Sequence, residues 1–218
     1  YLHNYGTYSN AQIGVATPYH YGGSVNSNSH GDAKHSKLQV LFSNPVEIRM
    51  SGGGEMYVAQ KTREESGVRT IVVDPRYSET ALTIADEWVP IRPGTDAAFV
   101  AGMVHVMLAE NLHDQAFLDT YCIGFDEEHM PEGVPNGESY HSYLFGLKDG
   151  VEKTPQWAER ITGIPAQVIE DLAVEYATTK PACILPGLGV QRTSGGENAI
   201  RATIALATMT GNIGVPGG

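Results

Sequence analysis

The chain has 218 residues, 41% of them hydrophobic, and carries a formal net charge of −11 from 14 basic and 25 acidic side chains. This length suits one large domain, or one domain with part of a second. The acidic balance repels a polyanion, which argues against nucleic acid as a partner. Because the chain starts with Tyr1 and ends in a Pro/Gly stretch, we expect it to be an internal fragment of a longer protein.

The sequence carries few signals for membranes or metal clusters. No apolar run approaches the ~20 residues that span a bilayer, and this segment shows no targeting signal. Cys122 and Cys183 each lie among apolar residues, which predicts two buried thiols. Without a Cys-x-x-Cys pair the segment cannot hold an iron–sulfur cluster alone. The eight histidines are scattered, and we expect no histidine metal site.

The first half of the chain is predicted to contain three strands and two helices after a loop-rich start. Residues 1–36 lack sustained periodicity, apart from one short helix near 10–16. Apolar runs predict strands at 37–42, 69–73 and 88–91, and Pro90 makes the third an edge strand. Helices are predicted at 56–65 and at 95–111, where apolar residues recur at helical spacing and Thr95 or Asp96 serves as the cap.

The second half continues the alternation of helices and strands. A short helix is predicted at 114–121 and a long surface excursion at 123–153, which is rich in Gly and Pro. One helix is then predicted to begin at Thr154-Pro155 and the next to span 166–178. A strand at 182–185 and a last helix at 197–209 follow. This order predicts an α/β fold with a doubly wound, mostly parallel, Rossmann-like sheet that has helices on both faces.

Polar clusters follow each predicted strand, at residues 43–49, 74–78, 92–96 and 187–192. Ligands of such sheets bind beyond the carboxyl ends of the strands, and backbone N–H groups at helix starts favour phosphate. Asp74 lies near where an acidic residue meets a ribose. The loop 51–54 (SGGG) does not match G-x-G-x-x-G, so the pattern is a weak indication of NAD binding.

Each of these residues also has an interpretation without a ligand. Asp74 and Asp96 suit the cap of a turn or helix. Gly187 and Gly189 allow a tight turn, and Arg192 suits an exposed surface. The argument for a site is that all four clusters are predicted to lie along one edge of the sheet.

Several strings of the sequence carry a family resemblance. They are VVDPRYSETA (72–81), WVPIRPGTDAA (88–98), GLGVQR (187–192), TGNIGVPGG (210–218), FSNPVEIRMSGGG (42–54) and the opening HNYGTYSNAQI (3–13). They closely resemble the catalytic subunits of the dimethyl sulfoxide reductase family, the prokaryotic bis-molybdopterin-guanine-dinucleotide oxidoreductases. The opening string and residues 42–54 indicate the anaerobic sulfoxide reductase branch.

The resemblance implies a catalytic metal ligand. In the family pattern Gly-x-Tyr-Ser the serine oxygen ligates molybdenum, which places that ligand at Ser9. Without the resemblance, a lone loop serine more often bonds to nearby backbone. Ser9 argues against the branches that use cysteine, selenocysteine or aspartate, but it does not fix the substrate.

The resemblance also implies which residues bind the cofactor. Gly94, Thr95 and Asp96 would hold guanine, with the carboxylate accepting from the ring N–H and the exocyclic amine. The FSNP string lacks a residue that relatives often have before the proline, so the register of the loop 43–49 is open by one position. The remaining residues implied are Glu47 and Ile48 facing one pyranopterin dinucleotide, Val73 and Asp74 at its nucleoside end, and Leu188, Gly189 and Arg192 lining the site, with Arg192 near a phosphate.

For the parent protein, the resemblance implies reduction of S-oxides or N-oxides by oxygen-atom transfer to Mo(IV) in anaerobic respiration. The implied cofactors are bis-molybdopterin guanine dinucleotide with molybdenum, and a 4Fe-4S cluster outside this segment. The implied partners are an iron–sulfur electron-transfer subunit and a membrane anchor subunit, at the periplasmic face of the inner membrane. Residues 1–36 would belong to the domain that frames molybdenum, 37–180 to a Rossmann-like dinucleotide-binding domain, and 181–218 to the adjoining α/β domain.

Two alternatives stay open. One is a related molybdenum reductase that acts on another oxyanion, such as selenate. The other is that the isolated segment is a non-catalytic guanine-nucleotide-binding domain, inactive because the domain that completes the cofactor site is missing.

Overall fold

A sheet of four parallel strands organises the structure, a computed structural model that describes residues 9–23, 30–48 and 53–218. The central strand is buried along its whole length, as expected for a strand covered on both faces. The order across the sheet is β3-β2-β1-β4, and every pairing is parallel. The strands are β1 (Leu38–Phe42), β2 (Arg69–Val73), β3 (Glu87–Val89) and β4 (Ala182–Pro186).

Nine α-helices and three short 3₁₀ helices belong to the described part of the chain. The 3₁₀ helices are His30–His35, Val46–Ile48 and Leu188–Gln191. None of the described helices combines the length and apolar character that crossing a bilayer requires. The α-helices are α1 (Ala11–Tyr21), α2 (Gly53–Ser66), α3 (Glu79–Ile84), α4 (Asp96–Ala109), α5 (Gln115–Tyr121), α6 (Tyr140–Leu144), α7 (Pro155–Thr162), α8 (Ala166–Thr178) and α9 (Gly196–Met209).

Helices cover both faces of the sheet because neighbouring strand residues point to opposite sides. Val40 and Phe42 pack into a large core with α4, α8 and α9. Leu41 and Val72 pack into a smaller core with α2 and α3. The predicted α/β fold, with a parallel sheet between two helical layers, is confirmed.

The strand order creates a topological switch point. The chain runs from β1 outward through β2 to β3, and β4 then adds to the other side of β1. In such sheets the crevice between the diverging strands is where ligands bind. The predicted boundary between two domains at residue 181 falls just before β4. Because β4 pairs with β1, one continuous sheet crosses this boundary. The assignment of 1–36, 37–180 and 181–218 to domains of a longer protein stays a prediction.

Most of the predicted elements are present, with differences that have local causes. Pro90 follows β3, which is an edge strand as predicted, and ends it because proline has no N–H for the ladder. The short helix α3 was not predicted, although Ser78 caps it by accepting a hydrogen bond from Ala81 N at 3.3 Å. The surface excursion at 123–153 is wrong in part, because α6 forms there and Leu144 is fully buried.

The two cysteines differ in their surroundings. Cys183 lies in β4 and is buried, as predicted. Cys122 follows α5 and is only partly buried, so the prediction of a buried thiol is wrong for this residue. Both are free thiols.

Candidate functional site

The ends of β1 and β4 approach each other closely at the switch point. Gly187 N donates to Phe42 O at 2.8 Å, and a Cβ atom on Gly187 would lie 2.1 Å from Ser43 O. Ser43 has a φ of 41°, a left-handed conformation that is uncommon for a residue with a side chain. Its N–H donates to Val73 O at 2.8 Å. Backbone contacts therefore join the exits of β1, β2 and β4.

The loop after β4 extends this junction toward α4. A Cβ atom on Gly189 would lie 3.0 Å from Ser43 Cβ, and one on Gly94 would lie 3.5 Å from Thr193 Oγ1. Leu188 and Arg192 are exposed. Among the residues that the structure describes, Arg192 makes no ion pair or hydrogen bond through its side chain. Four predicted site residues thus lie along one loop and the segment that it contacts.

Ser9 lies beside the same loop. Its carbonyl oxygen accepts a hydrogen bond from Gln191 Nε2, which also donates to Leu188 O at 3.2 Å. Ser9 is exposed, so its hydroxyl is accessible. The residues that precede Ser9 in the Gly-x-Tyr-Ser pattern lie outside the described part of the chain.

Glu47 follows β1 and is held within the fold. Its carboxylate accepts a hydrogen bond from the Thr80 hydroxyl, and Arg76 Nη2 lies 3.9 Å from its other oxygen. The backbone of Ile48 ends the 3₁₀ helix Val46–Ile48, and its side chain lies outside what the structure describes. The predicted contacts of Glu47 and Ile48 with a pterin stay predictions.

Asp74 follows β2 and serves partly as a turn residue. Its Oδ1 accepts from Arg76 N at 2.9 Å, which is the interpretation without a ligand for this oxygen. Burial raises the pKa of Asp74, while the Arg76 N–H and guanidinium oppose that rise and the Glu47 carboxylate adds to it. The Val73 side chain is fully buried in the core and its carbonyl bonds to Ser43, so any cofactor contact of Val73 stays a prediction.

Asp96 is the first residue of α4, behind the exit of β3, and only 2% of it is exposed. Its Oδ1 is buried and has no hydrogen-bond partner among the residues that the structure describes. Burial raises its pKa to about 6, opposed by its own backbone N–H and assisted by the negative charge of Asp74. Thr95 does not cap the helix, because its hydroxyl donates to Arg92 O at 2.7 Å instead. A buried acceptor without a donor is costly, which makes Asp96 Oδ1 suited to a ligand that brings N–H groups.

The raised pKa of Asp96 predicts that the fold loses stability as pH rises. With a pKa of about 6 in the folded state against 3.8 in the unfolded chain, the proton is held more tightly by the folded protein. The stability that Asp96 contributes through this proton is fully present below pH 3.8 and is lost as the pH rises through 6. Asparagine cannot titrate in this way. As the pH rises from 4 to 7, we therefore expect the unfolding free energy of Asp96→Asn to increase by about 2 kcal/mol relative to that of the wild type.

Urea denaturation of both proteins at several pH values measures this gain. The wild type is the reference at each pH, and comparison across pH cancels any constant cost of the asparagine amide. Parallel pH profiles of the two proteins would contradict the raised pKa.

A large open groove, of about 1420 Å³, lies to one side of this junction. It runs between α4, α5 and α9 and is lined mostly by apolar side chains, including the exposed Tyr121 and Ile123. Of the candidate residues, Gly94 and Thr95 lie in its wall. The polar site at the strand ends and the apolar groove therefore share the loop before α4.

The whole chain, residues 1–218, matches the family model of the molybdopterin oxidoreductases. The chain belongs to this family. The family resemblance found in the sequence is thereby confirmed. The family name implies a cofactor of molybdenum and a pterin.

Relatives of this molybdopterin oxidoreductase chain are considerably longer than the chain itself. It is 52% identical over 220 residues to dimethyl sulfoxide reductase DmsA of Escherichia coli (strain K12), which covers 100% of this chain and 27% of that protein. It is 35% identical over 158 residues to trimethylamine-N-oxide reductase of Haemophilus influenzae, covering 72% of this chain and 18% of the relative. The chain spans about a quarter of the length of the curated relatives that match it end to end.

A solved structure shows the same fold. Acetylene hydratase from Pelobacter acetylenicus matches with a TM-score of 0.73 and 27% identity, over 95% of this chain and 25% of that protein. The parallel α/β arrangement is therefore that of a molybdopterin-family enzyme.

Several polar residues that shape the site of this family member were not predicted from the sequence. Asn44 Nδ2 donates to Leu185 O at 3.1 Å and joins the exits of β1 and β4. Thr80 and Arg76 hold Glu47. Gln12 and Gln191 connect the segment of Ser9 to the loop after β4. All five lie inside the strings that carry the family resemblance, but their contacts are defined only by the fold.

Proposed function

We propose that this chain forms the guanine-binding end of a bis-molybdopterin guanine dinucleotide site and supplies Ser9 as the molybdenum ligand, in a reductase of S-oxides or N-oxides. The observation that carries the proposal is the buried, unpartnered Oδ1 of Asp96 at the start of α4, as far as the described residues go. It lies at the carboxyl edge of a parallel sheet, where nucleotides bind in such folds.

Guanine fits this carboxylate better than adenine does. Guanine presents its ring N–H and its exocyclic amine side by side, and a carboxylate accepts from both through two parallel charge-assisted bonds. Adenine has no such pair of neighbouring donors. Gly94 precedes Asp96 with a φ of 76°, a conformation that glycine adopts without strain. This turn before α4 supports the proposal that the loop presents backbone groups and the Asp96 carboxylate to one edge of the base.

The remaining residues would hold the rest of the cofactor. The exposed Arg192 is suited to a phosphate, since its guanidinium has no competing partner among the described residues. Ser9 is exposed beside Leu188 and can direct its hydroxyl outward. When bound, the cofactor supplies the metal and the two-electron redox chemistry, whereas this chain supplies binding and orientation.

The substrate class and the setting of the reaction belong to the same proposal. The relatives described above are named for dimethyl sulfoxide and trimethylamine N-oxide, which supports oxygen-atom transfer from S-oxides or N-oxides in anaerobic respiration. The proposal also includes a 4Fe-4S cluster elsewhere in a longer protein. It further includes an iron–sulfur subunit, a membrane anchor and a periplasmic location. The structural neighbour named as a hydratase illustrates that the fold alone does not fix the reaction.

Nucleotide titration tests the guanine site directly. At pH 8 the Asp96 carboxylate is ionised, since its pKa is about 6. We expect the chain to bind GMP at least about 10-fold more tightly than AMP by calorimetry, a difference of about 1.4 kcal/mol. Asp96→Asn should abolish the preference, because the amide NH₂ opposes the donors of guanine.

Asp114 provides a matched control for this titration. It caps α5 by accepting from Phe117 N at 3.0 Å, well outside the strand-end site. Asp114→Asn should keep the preference for GMP. Equal binding of GMP and AMP by the wild type would overturn the proposed guanine site.

A further inference from the structure

Two glutamines from opposite ends of the chain form a reciprocal set of hydrogen bonds beside Ser9. Gln191 is 1% exposed, and its Nε2 donates to Ser9 O and, at 3.2 Å, to Leu188 O. Both of these acceptors are backbone carbonyls of residues in the proposed site. The single amide of Gln191 therefore sets the distance between the segment of Ser9 and the loop after β4.

Gln12 completes the arrangement from the first turn of α1. Its Nε2 donates to Gln191 O at 2.6 Å and to Thr193 O at 2.7 Å, and its Oε1 accepts from Glu197 N at 3.0 Å. The side chain thus bonds to backbone on both sides of the turn that leads into α9. Gln191 therefore bonds to the segment that contains Gln12, and Gln12 bonds to the loop that contains Gln191.

These contacts act on backbone rather than on side chains. The hydroxyl of Ser9 is not used by the Gln191 contact, which engages only the Ser9 carbonyl. Removal of the Gln191 Nε2 donor would break the side-chain hydrogen bonds that join the Ser9 carbonyl to the loop after β4. α1 also packs against α9, where Arg201 Cζ lies 4.9 Å from the ring centre of Tyr19.

We propose that Gln12 and Gln191 are positioning residues that clamp the Ser9 segment to the loop after β4 and so set where the metal-ligating oxygen lies. The proposal rests on the proposed role of Ser9. It assigns Gln191 no contact with substrate or cofactor. The effect on the metal is exerted through the Ser9 backbone, because loss of a residue that orients a metal ligand typically lowers metal affinity or activity by about 10- to 100-fold.

Gln191→Glu tests the clamp, because glutamate keeps the size of the side chain and removes both N–H donors. In the metal-free protein, we expect faster hydrogen exchange of backbone amides over residues 9–15. In the full-length, molybdenum-loaded protein, we expect an altered Mo(V) EPR signal and a kcat lowered by about 10- to 100-fold with little change in KM.

Gln39→Glu is the matched control. Gln39 is also buried, donates to Thr70 Oγ1 at 2.7 Å, and lies in β1 near the end opposite the site. It should leave the exchange of residues 9–15 and the Mo(V) signal unchanged. The same changes in both variants would show general destabilisation and overturn the clamp.

Further outcomes separate the clamp from the role of Ser9. Unchanged exchange of residues 9–15 in Gln191→Glu overturns the clamp whatever Ser9 does. A Mo(V) signal that neither Gln191→Glu nor Ser9→Ala alters refutes Ser9 as a ligand, and with it the function of the clamp. If Gln191→Glu does not fold, Gln12→Glu replaces it, because that variant loses two donors but keeps the acceptor for Glu197 N–H.

Discussion

Gly187→Ala is expected to destabilise the fold severely, because it inserts a methyl group between two strand ends. The new Cβ atom would lie 2.1 Å from Ser43 O and 2.5 Å from Asn44 Cα, and both of these are backbone atoms. Neither strand can withdraw easily, since Gly187 N bonds to Phe42 O and Asn44 Nδ2 bonds to Leu185 O. We expect the unfolding free energy to fall by about 3 kcal/mol or more, as measured by urea denaturation.

Gly14→Ala is the control for this experiment. Gly14 lies within α1, is exposed, and has no atom within 4 Å of the position of a Cβ. Alanine is the better helix former by up to about 1 kcal/mol, so this variant should be as stable as the wild type or slightly more so. If Gly187→Ala unfolds at the same urea concentration as the wild type, the close approach of β1 and β4 is not a requirement of the fold.

The close approach at Gly187 also has a consequence for the site. It is accompanied by the left-handed conformation of Ser43, which a non-glycine residue keeps only where its surroundings enforce it. Here the enforcing contacts are the Ser43 N–H bond to β2 and the tight contact with β4. Local strain therefore occurs at the switch point, where the sequence motifs also concentrate.

The sequence predicted the sheet well because buried parallel strands are recognisable as short apolar runs. The run RTIVV coincides with β2, and the predicted helix 166–178 coincides with α8. The six-residue α3 and five-residue α6 were missed because they are too short to show helical periodicity. Their capping serines, Ser78 and Ser139, were the main local signals of a helix start.

The sequence predicted where the candidate site lies in the fold, but not the contacts that its residues make. The carboxyl ends of parallel strands share one edge, so Asp74 and Asp96 could be placed together from topology. The sequence could not show that Asp74 bonds to Arg76 N whereas Asp96 Oδ1 lacks a partner in the described part of the chain, because burial and donors depend on tertiary packing. The bond of Gln12 to Gln191 joins residues 179 positions apart, a separation at which no periodicity operates.

On the proposed function, Ser9→Ala is expected to remove the reductase activity of the full-length protein while leaving the fold of this chain intact. The fold uses the Ser9 carbonyl, which accepts from Gln191 and is present in alanine too, whereas the side chain is exposed. We therefore expect the unfolding free energy to change by less than about 0.5 kcal/mol, as for other exposed positions. The urea midpoint measures this part of the prediction.

The metal should respond very differently from the fold. Loss of a ligand exceeds the 10- to 100-fold effect of losing a residue that only orients one, so we expect turnover of dimethyl sulfoxide or trimethylamine N-oxide to fall by at least about 100-fold. The Mo(V) EPR signal should change as well. Ser66→Ala is the control, because Ser66 lies at the end of α2 and its hydroxyl bonds to Thr62 O at 2.6 Å, with no part in the proposed site. Because alanine cannot donate a ligand oxygen, wild-type turnover together with an unchanged Mo(V) signal would show that another group holds the metal.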